Sequence, residues 1–133
     1  MDIDSELEPL IVSNYEVSAA MDNLVRHVLM VIPDSYTEEF PLFSVFEAYS
    51  PWDAHVEEGK IFCDPKLLNM PRDVAIGALA HEFAHLFLRH GMGGKGDLRK
   101  EHEADALACQ WRFTEEVKAM RQYFGPPTDQ QGG

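Results

Sequence analysis

Residues 81–85 read His-Glu-Phe-Ala-His. On an α-helix, two histidines four residues apart stand about 40° apart around the axis and about 6 Å apart along it. Both imidazoles can therefore reach one metal ion at about 2.0–2.1 Å. Glu82 falls on the neighbouring flank, where its carboxylate reaches a metal-bound water rather than the metal. Two ligands beside one base is the division of labour that metal-assisted hydrolysis needs. The surrounding residues Val74, Ile76, Leu79, Phe83, Leu86, Phe87 and Leu88 are apolar almost all round the helix, which predicts burial. Polar groups buried together are costly unless paired, and a zinc ion would satisfy both imidazoles.

A catalytic zinc takes a third protein ligand and keeps a fourth position for water. Residues 101–105 read Glu-His-Glu-Ala-Asp. Glu101 and Asp105 share a helix face, and Ala104 and Ala108 are small enough to let this helix approach the first. Glu101 is the expected third ligand, with Glu103 and His102 as rivals. Asp105 is expected to accept the free N–H of a ligand imidazole and fix its tautomer. His90 follows His81 by nine residues. On a continuing helix it lies about 180° round the axis, away from the site. The metzincin pattern fails, because Leu88 and Gly91 occupy its glycine and third-histidine positions.

These residues must be positioned by a small set of elements. The strongest helix signal runs from Arg72 to His90, with Pro71 at its start and Asp73 in its first turn. Gly91-Met92-Gly93-Gly94-Lys95-Gly96 reads as a connector and not a phosphate loop, since no Gly-Lys-Ser/Thr follows a strand. Asp97 is a good N-cap for a helix reaching about Phe124, with a break near Phe113-Thr114, ended by Gly125-Pro126-Pro127. Upstream, helical spacing runs from Glu16 to Met30 and Pro33 stops it. Phe43–Tyr49, Ala54–Glu57 and Lys60–Cys63 read as strands, the last two around Glu58-Gly59. They predict a small, mainly antiparallel sheet of about three strands. Residues 1–14 read as an acidic arm and 125–133 as a loose tail. The expected fold is α+β in a single domain over 1–133.

Composition narrows the function further. The chain has 133 residues, 45% hydrophobic and 26% charged, an ordinary globular balance and the size of one domain. The most apolar stretch, Val74–Leu88, is interrupted by His81, Glu82 and His85, so no membrane span is expected. The start Met-Asp-Ile-Asp-Ser-Glu lacks the basic start and apolar core of an export signal, so a cytoplasmic location is expected. Cys63 and Cys109 are then reduced thiols. Net charge is −12. Residues 1–60 hold 13 acids and 2 bases, whereas residues 61–133 hold 10 and 9. Nucleic-acid binding needs the opposite sign.

His-Glu-x-x-His followed by Glu-x-x-x-Asp on a second helix resembles the gluzincin metallopeptidases. The second helix is similar to the "Glu-x-Glu-Ala-Asp/Asn-x-x-Ala" helix of the ImmA/IrrE family of bacterial and phage peptidases. The pair also resembles the soluble core of membrane-protein-processing endopeptidases. The likeness covers about Ile61 to Trp111. It implies a zincin-like minimal fold: an N-terminal helix, a short sheet, an active-site helix and a glutamate helix, with the sheet's edge strand holding a peptide substrate by β-addition. The implied function is zinc-dependent hydrolysis of a peptide or protein substrate, with Zn2+ on His81, His85 and Glu101 and Glu82 as general base. The rival is a non-catalytic regulatory module of a phage or mobile-element system that keeps the metal. Two departures stand out. Only 15 residues separate His85 from Glu101, and no histidine follows His102 to stabilise an oxyanion. Tyr123, Arg112 and Arg121 are the alternatives for that task.

Overall fold

The computed structural model describes residues 12–90 and 97–127. Most of the expected acidic arm, the glycine connector and the end of the expected tail lie outside them. Strand β1 (Val12–Glu16) is followed by helices α1 (Ala19–Val31) and α2 (Asp34–Thr37) and strand β2 (Phe43–Glu47). Strands β3 (Ala54–Glu57) and β4 (Lys60–Cys63) come next, then a 3-10 turn at Pro65–Asn69. Helices α3 (Arg72–Phe87) and α4 (Leu98–Ala108) follow. A π-helical turn at Cys109–Phe113 leads into α5 (Thr114–Phe124). The protein is α+β, and no described helix is long and apolar enough to cross a membrane.

The sheet corrects the expectation in strand number and direction. It has four strands in the order β1-β2-β4-β3. β1 pairs with β2 and β2 with β4 in parallel; only β3 and β4 run antiparallel. Glu58 (φ 53°) and Gly59 (φ 77°) close the β3–β4 hairpin, the left-handed pair that a tight hairpin turn requires. The return strand β4 inserts between β2 and β3. It therefore runs parallel to β2 and leaves β3 at the edge.

β1 occupies the end of the segment read as an arm and the start of the segment read as a helix. Its one deeply buried residue is Tyr15, whose hydroxyl donates to Asp22 at the start of α1. Helix α1 begins three residues later than expected because Ser18 caps it, accepting from the Met21 amide at 3.2 Å. Its buried stripe is Met21, Leu24, Val25, Val28 and Leu29.

Helix α3 is the central element. It is buried from Val74 through Leu86, between the sheet edge and helices α1, α4 and α5. The expected break in the last helix falls at Arg112, whose φ is 83°. The kink lets α5 fold back along α3. Trp111 and Phe113, on either side of it, are fully buried, and Trp111 packs against Phe40 and Phe87.

Candidate metal centre

α3 presents His81 and His85 to α4, which presents Glu101. His81 Nε2 lies 3.1 Å from Glu101 Oε1, and His85 Nε2 lies 3.0 Å from Glu101 Oε2. The two Nε2 atoms are 3.0 Å apart, with the rings nearly perpendicular. All three side chains are buried, Glu101 at 1% exposure. Among the described residues these three form the group able to share one ion.

The donor atoms fit a small divalent cation. Two imidazole nitrogens and a carboxylate converge their lone pairs on one point, where each repels the others unless a positive charge sits between them. Ligands on bonds of about 2.0–2.1 Å in a tetrahedron stand about 3.3 Å apart, close to the spacing observed. Two imidazole nitrogens with a carboxylate oxygen are a donor set that zinc, copper, iron and nickel all accept. The protein groups alone show the same demand. Burial by itself would lower the His81 pKa, but its bonds to Asp105 and Glu101 overcome that and raise it to about 10.

Asp105 stands behind His81, its Oδ1 2.7 Å from the ring Nδ1. Arg121 of α5 grips the same carboxylate through Nε at 2.8 Å and Nη2 at 3.0 Å. Burial pushes the Asp105 pKa up, but the bonds from His81 and Arg121 pull it down further, to about 2. The carboxylate thus stays ionised and accepts the His81 Nδ1–H, so that a bound metal, in displacing the Nε2 proton, would meet the Nε2 lone pair.

Glu82 sits beside these groups, 4% exposed. Burial, opposed by His81 and supported by Glu101, pushes its pKa up to about 8. Its Oε1 is buried with no hydrogen-bond partner among the described residues. A cleft of about 200 Å³ reaches Glu82 and His81 between the start of β3 and α5, walled by Trp52, Ala78, Met120 and Phe124.

The structure separates the other sequence candidates. Glu103 and His102 are exposed on α4 and do not join the three donors. Tyr123 is 54% exposed. Arg112 is exposed at the kink, and Arg121 lines the cleft while bound to Asp105.

His90 corrects the sequence expectation. It does not lie across the helix from the site: its Nδ1 is 3.0 Å from His85 Nδ1. The reason is that α3 ends at Phe87, and Arg89 adopts a left-handed φ of 59°, so the helical extrapolation fails. Sequence reasoning could have found a stop here in the glycines that follow, but nothing local marks Arg89.

Neither a known protein family, a curated protein nor a solved structure matches this chain.

Proposed function

We propose that this protein is a zinc-dependent metallopeptidase with a zincin-like fold. The observation that carries the reading is Glu82: a buried carboxylate with an unpartnered oxygen, set at a cleft beside two imidazoles and a carboxylate that converge on one point. A purely structural metal site has no use for such a base. The seating of α3 between the sheet-edge strand β3 and the carboxylate helix α4 supports the fold assignment.

His81, His85 and Glu101 would hold the ion. When bound, zinc supplies Lewis-acid polarisation of a water and of the scissile carbonyl. Glu82 takes the proton of the attacking water and delivers it to the amine nitrogen as the carbon–nitrogen bond breaks. A pKa raised towards neutrality suits both halves of that transfer. The peptide backbone would pair with the edge strand β3, and the apolar walls of the cleft would take a side chain flanking the scissile bond.

The test compares zinc-loaded wild type with Glu82→Gln on casein and on a mixed peptide library. Glu82→Gln is expected to keep its zinc and lose at least about 10²-fold in turnover. Unchanged turnover rejects Glu82 as the base. A zinc-loaded wild type that cleaves nothing in the library favours the non-catalytic module.

A further inference from the structure

The two histidines of the centre are backed differently, and the second backing was not foreseen from the motif. His81 Nδ1 meets a carboxylate directly. His85 Nδ1 meets another imidazole, His90 Nδ1, at 3.0 Å. His90 Nε2 in turn lies 3.1 Å from Glu103 Oε1. The backbone locks this arrangement, since the His90 N–H donates to the His85 carbonyl at 3.0 Å immediately after the left-handed Arg89. The His90 side chain is 11% exposed, whereas Glu103 is 47% exposed on α4.

We propose that His90, oriented by Glu103, is the positioning residue for His85 in metal binding. The proposal rests on the metal reading of His81, His85 and Glu101. Every proton position along the chain then follows from one requirement. If His85 turns its Nε2 lone pair towards a metal, its Nδ1 carries the hydrogen and donates. His90 Nδ1 must accept, so His90 carries its hydrogen on Nε2 and donates to Glu103. The exposed carboxylate of Glu103 thus fixes the tautomer of His90, which fixes the tautomer and ring plane of His85. Outer partners of this kind typically contribute 10–100-fold to metal affinity. Because the relay ends in a solvated carboxylate, its effect is smaller than that of Asp105 on His81. The relay also tethers the turn after α3 to α4, the helix that carries Glu101.

Zinc affinity is measured by chelator competition for wild type, His90→Ala, His90→Asn and Glu103→Ala. The visible absorption of the cobalt-substituted proteins and the thermal melting of the metal-free forms are recorded alongside. His90→Ala is expected to weaken zinc binding at least tenfold and to shift the cobalt spectrum. His90→Asn, whose Oδ1 takes the place of Nδ1 and can still accept from His85, is expected to recover most of the loss. Glu103→Ala, a surface change that leaves the core untouched, is expected to give a smaller loss in the same direction. If His90→Ala melts lower in the metal-free form but keeps wild-type zinc affinity and cobalt spectrum, His90 supports only the fold and the proposal is overturned. If wild type itself takes up no zinc, the metal reading fails and this inference falls with it; wild-type uptake with unaltered variants overturns this inference alone.

Discussion

Asp105 serves two partners at once. One carboxylate accepts from His81 and from the Arg121 guanidinium, so three elements, α3, α4 and α5, meet on a single residue. Replacing it removes an anion that orients an imidazole and leaves an arginine half-buried opposite an empty space. Asp105→Ala is expected to weaken zinc binding by about 10–100-fold, with a matching loss of hydrolysis. Chelator competition measures the first and peptide turnover the second. An exposed helix residue would cost only a few tenths of a kcal/mol and nothing in metal affinity, so wild-type affinity in this variant rejects the role. Glu101 is the harder test of the donor set. Glu101→Gln keeps the shape of the side chain and removes its charge, and zinc content after dialysis is expected to fall well below that of wild type.

Helix α3 tolerates a glycine in its interior for a reason that shows only when α5 is in place. A Cβ on Gly77 would stand 2.3 Å from the Glu116 carbonyl oxygen and 3.0 Å from Met120 Cβ. The two helices therefore meet backbone to backbone. In an isolated helix Gly→Ala is stabilising by roughly 0.5–1 kcal/mol. Here Gly77→Ala is expected to reverse the sign and cost about 1–3 kcal/mol, since α5 must move outward. Denaturant unfolding checks it; a midpoint equal to or above wild type contradicts the close approach. Arg121 follows Met120 directly, so the same displacement should loosen its grip on Asp105 and lower zinc affinity. The Arg112 kink matters at this scale too. On an unbroken helix, residues 105 and 121 would stand about 24 Å apart, far beyond the 2.8 Å contact observed.

Across the whole molecule, the candidate centre joins two helices with no covalent link beyond residues 88–97. An ion shared by His81, His85 and Glu101 would cross-link α3 to α4 in the folded state and find no preformed site in the unfolded chain. Binding of such an ion would therefore add to the folding free energy. Stripping the protein with a chelator is expected to lower Tm, and titrating zinc back should raise it with concentration. The gain should approach about 2.7 kcal/mol at a free zinc level of 100 times Kd. Calorimetry across a zinc series measures this. A Tm indifferent to zinc contradicts a site coupled to the fold. His85→Ala should flatten the same dependence.

Local pattern by itself determined what depends on near neighbours. The four-residue spacing of His81 and His85 places both on one face of α3, because helical geometry needs no tertiary help to do so. The Asp97 cap, the hairpin at Glu58-Gly59 and the buried stripe of α1 were legible for the same reason. The pairing of Glu101 and Asp105 on one face of α4 was legible too, and the structure sets that face against the two histidines. What the tertiary structure alone decided depends on contacts between distant residues. β1 became a strand because β2 offers it a parallel partner and Tyr15 a buried seat, and no residue in 12–16 announces that. The sheet became mixed because β4 inserts between β2 and β3, a matter of which edges meet. Arg121 reached Asp105 only through a kink whose left-handed residue is an arginine, where sequence would look for glycine. His90 came back to His85 by the same device at Arg89. Positive φ at a non-glycine residue is held by the packing around it, so chain reversals of this kind are invisible until the molecule is folded.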